Sequence, residues 1–325
     1  MRLVTIDTDS GGGTAGVQLP DGAVVLADAA LGAKHPGTVA GLFRAGPKML
    51  ARLDEAVQRL SGDRLHAQAE GSIVAAADVR LREPMGERVM LICAGANYRA
   101  HLHEMGEELP AKAAYFAKSP NSVIGVGQPI QIPPAFPDHV DWEGELCIVI
   151  GAPCHDVRAQ DAWDYVGGYT LLNDVSARDD FPALAAARTP IEGRWAWTEM
   201  ILGKQFPTFG PLGPAVVTAD EIGDPAGLRL QTIVNGTVMQ DTPISDLAVG
   251  IPALVEQFSK HYSFQPGDII STGTPSGVGV GQRPPVFLHD GDRVTIRVDG
   301  IGDLTNYVTG PPAKPVGLAA VGEGR

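Results

Sequence analysis

Residues 138–151 read DHVDWEGELCIVIG, in which two glutamates run directly into a wholly apolar segment of strand-like length. Because alternate side chains of a strand share one face, Glu143 and Glu145 are predicted to point into the same site. Like charges this close raise each other's pKa unless a cation neutralises them, and oxygen-rich sites suit Mg²⁺ or Mn²⁺. The pair therefore indicates a metal site, and the alternative is the solvated face of an edge strand.

A third acid follows another apolar run in GGYTLLNDVSARD, residues 167–179. Asp174 stands where that strand is expected to end, so two glutamates and one aspartate would form half of an octahedral shell that water or substrate oxygens complete. The alternative is an Asx turn or a helix N-cap made by Asn173 or Asp174.

Further short apolar segments alternate with Gly and Pro turns on both sides of this region, which predicts a mostly β fold with flanking helices, of the α+β class. Residues 1–85 are expected to form a small N-terminal α+β domain, with a helical stretch over 39–60 that is interrupted near Pro47. Residues 86–310 would be the catalytic domain, with helices in 100–109, 159–166 and 249–262. The Pro-, Gly- and Ala-rich residues 311–325 are predicted to be a mobile tail.

Composition narrows the classes of function. A net charge of −13 over 325 residues disfavours nucleic acid and anionic lipid as partners. Three cysteines without CxxC spacing suggest neither a disulfide framework nor a zinc ribbon, which fits a reducing cytoplasm. No apolar run approaches membrane-spanning length and no signal segment is evident, so a cytoplasmic protein is expected.

Four motifs carry candidate catalytic or substrate-binding groups. In GANYRAHLHEMG, residues 95–106, His101 and Glu104 lie one helical turn apart and could act as a general-base dyad that activates water; a surface histidine beside a solvated glutamate is the alternative. Lys118 and Lys204 stand in turn-rich, apolar surroundings where a cation could meet an anionic substrate, unless they are snorkelling surface lysines. Arg178 would lie one helical turn from Asp174 and could bind a carboxylate or merely pair with that acid.

The Gly-rich segment DIISTGTPSGVGVG, residues 268–281, follows a strand but does not make a nucleotide loop, since the prolines of QRPPVFL cannot open the required helix. Its backbone N–H groups and the Thr274 hydroxyl remain available to a substrate carboxylate, or the segment is a purely structural turn. Neither a serine nucleophile elbow nor a recognisable cysteine nucleophile motif is present, so covalent catalysis is not indicated.

Taken together and in order, eight motifs resemble the fumarylacetoacetate hydrolase superfamily, in particular two-domain bacterial acylpyruvate hydrolases and 2-hydroxyhepta-2,4-diene-1,7-dioate isomerases. The resemblance spans roughly residues 89–308 and rests on GANYRAHLHEMG, FAKSPNSVIG, DWEGELCIVIG, GGYTLLNDVSARD, LGKQFPTFGPLGP, NGTVMQD, PGDIISTGTPSGVG and GDRVTIRVDGIGDLTN.

The resemblance implies bent, mixed β-sheets in a barrel-like catalytic domain that assembles as a homodimer, with a Mg²⁺ or Mn²⁺ site made by Glu143, Glu145 and Asp174. It implies that His101 and Glu104 are the water-activating dyad on a lid helix and that Lys204 is the active-site lysine. The residues expected to contact substrate are Lys118, Arg178 and Thr274.

The implied function is metal-dependent hydrolysis of a C–C bond in a 1,3-diketo or 2-oxo acid, such as an acylpyruvate or fumarylpyruvate in aromatic catabolism. The cation would stabilise the enolate and the His101–Glu104 dyad would activate water. The alternative is an oxaloacetate decarboxylase or a 2-oxo acid isomerase or hydratase on the same scaffold. A catalytically silent binding protein is disfavoured, because a silent site has no need of mutually repelling carboxylates.

This sequence departs from the family pattern in two places. Phe181 stands where many relatives have a glutamine, and residues 181–201 look longer than in small acylpyruvate hydrolases and bring Arg194, Trp195 and Trp197. An insertion that borders the pocket would favour a bulkier or aromatic substrate, whereas the alternative is a loop that makes a dimer contact.

Overall fold

The structure is a computed structural model that describes residues 1–8, 11–32 and 35–310, without the side chain of Ala185. Its strands are β1 Arg2–Asp7, β2 Gly13–Gln18, β3 Val24–Leu26, β4 Ile73–Val74, β5 Leu91–Gly95, β6 Ala114–Ala117, β7 Val123–Ile124, β8 Pro129–Gln131, β9 Val140–Asp141, β10 Gly144–Ile150, β11 Val166–Asn173, β12 Ser176–Ala177, β13 Gly210–Thr218, β14 Arg229–Val234, β15 Thr237–Pro243, β16 Ile269–Ser271, β17 Arg293–Val298 and β18 Gly302–Thr309. Its α-helices are α1 Ala27–Leu31, α2 Val39–Arg44, α3 Pro47–Gly62, α4 Arg64–Ala69, α5 Arg99–Met105, α6 Phe181–Ala186, α7 Pro190–Leu202, α8 Ala219–Ile222 and α9 Ile251–Ser259.

One large sheet organises the described chain. It has 11 strands, in the order β4-β3-β2-β1-β13-β11-β10-β16-β5-β6, with β7 beside β13. Most neighbours are antiparallel, but β5 pairs with β16 and β7 pairs with β13 in parallel. A second sheet has five strands, in the order β15-β14-β17-β18-β8, and β9 pairs with β12. These mixed sheets with flanking helices confirm the predicted mostly β fold class.

Strand β10 is buried on both faces, which explains why its sequence is wholly apolar beyond Glu145. Ile148 packs in a cluster with Leu230 of β14 and Phe258 of α9. The next residue, Val149, packs in a second cluster with Phe43 of α2. Because side chains of a strand alternate, one face of β10 packs in the first cluster and the other face packs in the second. Residues 143, 145, 147 and 149 lie on the side of the N-terminal helices.

The N-terminal residues form an α+β unit whose strands continue the large sheet. Strand β1 pairs antiparallel with β13, with Leu3 opposite Val216. The helical stretch predicted over 39–60 is two helices, α2 and α3, and Pro47 occupies the first turn of α3, where its missing N–H costs no hydrogen bond. The large sheet therefore contains strands from both sides of residue 85. The domain boundary expected at that residue stays a prediction.

The helices predicted in the second part of the chain are present with one difference of type. Segment 100–109 contains α5 and segment 249–262 contains α9, which has a proline in its first turn. Residues Ala159–Tyr165 form a 3₁₀-helix rather than an α-helix. The predicted tail, 311–325, lies outside the described residues. Among the described residues, no helix is both long and apolar enough to cross a membrane.

The segment between the N-terminal unit and β5 contains a glutamate whose acidity should affect stability. Burial raises the pKa of Glu83 from its ordinary 4.5 to about 7, although its carboxylate accepts the backbone N–H groups of Met85 and Gly86. The unfolded chain releases this proton from pH 4.5 upward while the folded chain keeps it to about pH 7. The folded state therefore binds more protons in this interval, and stability falls as the pH rises.

We predict that Glu83→Gln is more stable than the wild type at pH 8, by at most about 3 kcal/mol, and loses this advantage at pH 4. Urea unfolding at the two pH values measures the difference. Glu87→Gln is the matched control, because a hydrogen bond from Arg44 lowers the Glu87 pKa, so that its substitution should give no gain at pH 8. An equal advantage of Glu83→Gln at both pH values would contradict the prediction.

Candidate active site

Strand pairing brings the three predicted acids together. Asn173, the last residue of β11, pairs with Gly144 at the start of β10, and Glu145 pairs with Leu172. Beyond this register the N–H of Asp174 donates to the carbonyl oxygen of Glu143 at 2.8 Å. All three carboxylates are buried. Because no helix follows Asp174, the alternative of a helix N-cap is wrong, and the segment continues as β12.

Lys204 lies between two of these acids. Its Nζ donates to Oε2 of Glu143 at 2.7 Å, to Oδ2 of Asp174 at 2.8 Å and to the Ser176 hydroxyl at 2.8 Å. The residue is only 6% exposed, so the alternative of a snorkelling surface lysine is wrong. Burial opposes its charge, but attraction to Asp174 and Glu143 prevails and raises the pKa of Lys204, which keeps the ammonium charged.

Lys118 supports the same acids from the other side. It is 2% exposed, and its Nζ donates to Oδ1 of Asp174 at 2.6 Å and to the carbonyl oxygen of Lys204 at 2.7 Å. This lysine is therefore not a surface residue either. Its bonds hold Asp174 and the backbone of Lys204 in place, and its predicted contact with substrate stays a prediction.

Arg178 pairs with other acids than the one expected. The spacing of four residues suggested a helical turn from Asp174, but residues 174–178 form no helix and include strand β12, which pairs with β9, so that the side chain reaches Asp141 of β9 instead. Its Nε donates to Oδ2 of Asp141 at 3.0 Å, and its terminal amino group donates to Oε1 of Glu143 at 2.6 Å. The arginine orients Glu143 and links it to Asp141.

The two glutamates differ in acidity although they are only two residues apart. Burial alone would raise the pKa of Glu143, but attraction to Lys204 and Arg178 outweighs it and lowers the pKa to about 2. Burial and repulsion by Asp174 and Glu143 raise the pKa of Glu145 well above its ordinary value. Glu145, the weaker acid of the two, accepts a hydrogen bond from the Ser271 hydroxyl.

The donor set fits a divalent cation. One oxygen each of Glu145 and Asp174 and the sulfur of Cys93 all lie within 4.8 Å of one another, and Glu143 adjoins them through Lys204. Three buried carboxylates that repel each other, two of which bind the Lys204 ammonium group, are suited to hold a hard cation. The position of Cys93 beside them was not foreseen, since the spacing of the cysteines showed no ligand pattern.

The predicted dyad, His101 and Glu104, lies on α5, at the edge of a cavity that the three acids also line. Nδ1 of His101 and Oε2 of Glu104 are 3.3 Å apart, and His101 lines the cavity while its side chain is 15% exposed. His103 is exposed on another face of this helix. The N-terminal end of the helix is fixed because the Asp246 carboxylate accepts the N–H of Ala100.

The Gly-rich segment uses part of its backbone to bind an aspartate of the protein. Asp141 accepts the N–H groups of Gly279 at 2.6 Å and Val280 at 3.1 Å, so these two groups are not free for a substrate. The segment also needs glycine at Gly277, where φ is +98° and a Cβ would meet the carbonyl oxygen of Met239 at 2.1 Å. Thr274 lines the cavity, as expected of a residue near substrate, and its hydroxyl donates to the carbonyl oxygen of Gly144 at 3.1 Å.

Asp141 is the functional residue that the sequence analysis missed. It stands two residues before Glu143, in the same motif, and the alternation used for the two glutamates could have included it. Its partners Arg178 and Gly279 are far away in the chain, and no local pattern connects them to it.

A cavity of about 390 Å³ connects the acids with α5 and the insertion. Phe181 and Leu184 of α6 line it, and so do Trp197 and Met200 of α7. Residues 181–201 therefore border the pocket. This position is the one for which the sequence predicts a bulkier or aromatic substrate. Trp195 lies on another face of α7, beside a separate cavity between α6 and α7.

Comparison with known proteins identifies the family of this chain. Residues 90–309 match the model of the fumarylacetoacetate (FAA) hydrolase C-terminal family. The chain belongs to this family. Its similarity to the oxaloacetate tautomerase YisK of Bacillus subtilis (strain 168) is 39% identity over 235 residues, which cover 71% of this chain and 74% of the relative. With the mitochondrial oxaloacetate tautomerase fahd2 of Xenopus laevis it shares 34% over 309 residues, 95% of this chain and 90% of the relative.

The solved structure of a maleylpyruvate hydrolase from Sphingobium sp. SYK-6, in complex with manganese(II) and pyruvate, is also similar to this chain. The TM-score is 0.69 at 29% identity, and the match covers 95% of this chain and 99% of that one. Known relatives of this chain thus carry the names of different reactions, and the family by itself does not specify which reaction this chain catalyses.

We predict that Lys204→Met destabilises the metal-free protein by about 3–5 kcal/mol, because the substitution removes one partner from a buried ion pair. Mn²⁺ should restore more stability to this variant than to the wild type, since the ion supplies positive charge beside the same carboxylates. Urea unfolding with and without Mn²⁺ measures both effects. Lys112→Met, which removes an exposed lysine from the rim of the same cavity, is the control and should change stability by less than about 0.5 kcal/mol.

Proposed function

We propose that this protein is a metal-dependent hydrolase that cleaves a C–C bond of a 1,3-diketo acid of the acylpyruvate type. The observation that carries the proposal is the His101–Glu104 pair, 3.3 Å apart, on a helix whose histidine faces the same cavity as the three buried acids. Hydrolysis needs an activated water, which a base held by a carboxylate supplies, whereas tautomerisation and decarboxylation have less need of an activated water.

Glu143, Glu145 and Asp174 would hold the divalent cation, Mg²⁺ or Mn²⁺. When bound, it would supply positive charge beside the oxygens of the 2-oxo acid. The manganese and pyruvate in the related maleylpyruvate hydrolase structure support a cation of this kind and a pyruvate-like substrate. The pairing of Lys204 with Glu143 and Asp174 supports the same assignment, because these residues already hold a positive charge.

The residues of the chain account for the proton and charge transfers. His101, held by Glu104, would take a proton from water as its oxygen adds to the distal carbonyl carbon of the substrate. The bond between that carbon and C3 then breaks, its electron pair stays on the pyruvate half as an enolate, and a proton added at C3 gives pyruvate. Lys204 and Arg178 would offset the negative charge, and Thr274 would bind a substrate oxygen. The products are pyruvate and the carboxylic acid of the acyl group.

The second candidate is tautomerisation or decarboxylation of oxaloacetate. It is favoured by the names of two similar proteins, the oxaloacetate tautomerases of Bacillus subtilis and Xenopus laevis. The same acids and cation would serve it, since an enol or enolate of a 2-oxo acid occurs in all these reactions.

A homodimer in the cytoplasm remains part of the proposal, and light scattering that gave a monomer mass would contradict the dimer.

The first experiment is a product assay by mass spectrometry with purified protein, Mn²⁺ or Mg²⁺, and acetylpyruvate, fumarylpyruvate or oxaloacetate. We expect release of pyruvate and the matching acid, and its loss when a chelator is added. Release of CO₂ from oxaloacetate, or enolisation of oxaloacetate followed by ultraviolet absorbance, without cleavage of any acylpyruvate, would overturn hydrolysis in favour of the second candidate.

We further predict that Glu143→Ala abolishes both metal binding and turnover, whereas His101→Ala keeps metal binding and lowers hydrolysis by about 10²–10⁴-fold. Calorimetric titration with Mn²⁺ and the product assay measure the two effects. His103→Ala, on the exposed face of the same helix, is the control. Full hydrolysis by the His101 variant would remove the dyad from the mechanism.

A further inference from the structure

We propose that α6 and α7 form an apolar subsite that selects 2-oxo acids with an apolar, preferably aromatic, acyl group over the dicarboxylate oxaloacetate. The proposal rests on the proposed function, because it concerns the part of the substrate beyond the carbons that react. Trp197 is the residue that we expect to determine this preference.

The cavity has two chemically different ends. Its buried end carries the charged groups, among them Glu145, 1% exposed, and Lys204, 6% exposed. Its outer part is partly exposed and is lined by Phe181, Leu184, Trp197 and Met200. A 2-oxo acid bound with its oxygens at the buried end would direct its acyl group towards these side chains. Burial of apolar surface there favours an apolar group.

The charges of the outer part disfavour a second substrate carboxylate. Among the described residues that line it, Lys112 is the single lysine or arginine, and it is exposed and accompanied by Glu107 and Glu108. The buried cations do not compensate, because Lys204 and Arg178 already donate to Glu143. The C4 carboxylate of oxaloacetate would therefore lose water without gaining a buried cation.

Helix α7 also offers a matched pair of tryptophans. Residues two apart on an α-helix point about 200° apart, so Trp195 and Trp197 lie on different faces. Trp197 is 37% exposed and lines this cavity, whereas Trp195 is 64% exposed and lines the separate cavity between α6 and α7. Substitution of each residue by alanine removes the same side chain from the same helix, at one position inside the proposed subsite and at the other outside it.

The test compares kcat/KM for benzoylpyruvate and acetylpyruvate in the Mn²⁺-loaded wild type, Trp197→Ala and Trp195→Ala. We expect the wild type to prefer benzoylpyruvate by about tenfold or more. Trp197→Ala should reduce this ratio by about tenfold, mainly through a higher KM for benzoylpyruvate, and Trp195→Ala should leave it unchanged. An unchanged ratio in Trp197→Ala, or an equal reduction by both substitutions, would overturn the proposal.

A binding measurement separates this proposal from the proposed reaction. Calorimetric titration of the Mn²⁺-loaded protein with phenylpyruvate and with pyruvate requires no C–C cleavage. We expect phenylpyruvate to bind about tenfold more tightly, with the difference lost in Trp197→Ala. If no acylpyruvate is cleaved but this difference holds, hydrolysis is wrong and the subsite stands. Equal affinities would overturn the subsite, and a Trp197→Ala variant that keeps the difference but loses its dimer in light scattering would make the tryptophan an interface residue instead.

Discussion

The structure depends on neutralising a cluster of buried carboxylates. Asp141, Glu143 and Asp174 are ion-paired with Arg178, Lys118 and Lys204, whereas burial raises the pKa of Glu145, which accepts a hydrogen bond from Ser271. A carboxylate without such a partner would be too costly to bury at the centre of the large sheet. Lys118 directly follows β6, and Arg178 and Lys204 lie between β12 and β13, so the site is complete only when these separate parts of the chain are packed together.

The same cluster holds the acids of the site in fixed positions. Lys204 places positive charge between Glu143 and Asp174, and Arg178 holds Glu143 on the other side. Asp141 extends this network to the Gly-rich segment, because it binds both Arg178 and two backbone N–H groups of that segment. The acids, the arginine and one wall of the cavity are therefore held in a single arrangement.

The charged end of the cavity suits several reactions that pass through an enol or enolate of a 2-oxo acid. Around it lie the His101–Glu104 pair on α5 and the apolar side chains of α6 and α7, on which the proposed choice among these reactions depends. The similar proteins carry the names of different reactions, oxaloacetate tautomerase and maleylpyruvate hydrolase. Assignment of the reaction therefore rests on the side chains around the centre and not on the fold.

The sequence by itself determined the strands around the acids, the mostly β class and the three carboxylates, since strand periodicity and the grouping of Glu143, Glu145 and Asp174 are local patterns. It also determined the His101–Glu104 pair, because residues three apart meet on any helix. Only the tertiary structure decided that Lys118 and Lys204 are buried and that Arg178 pairs with Asp141 and Glu143. Lys204 is 61 residues from Glu143 and 30 from Asp174, and pairing across such distances follows from strand register, which local spacing does not encode.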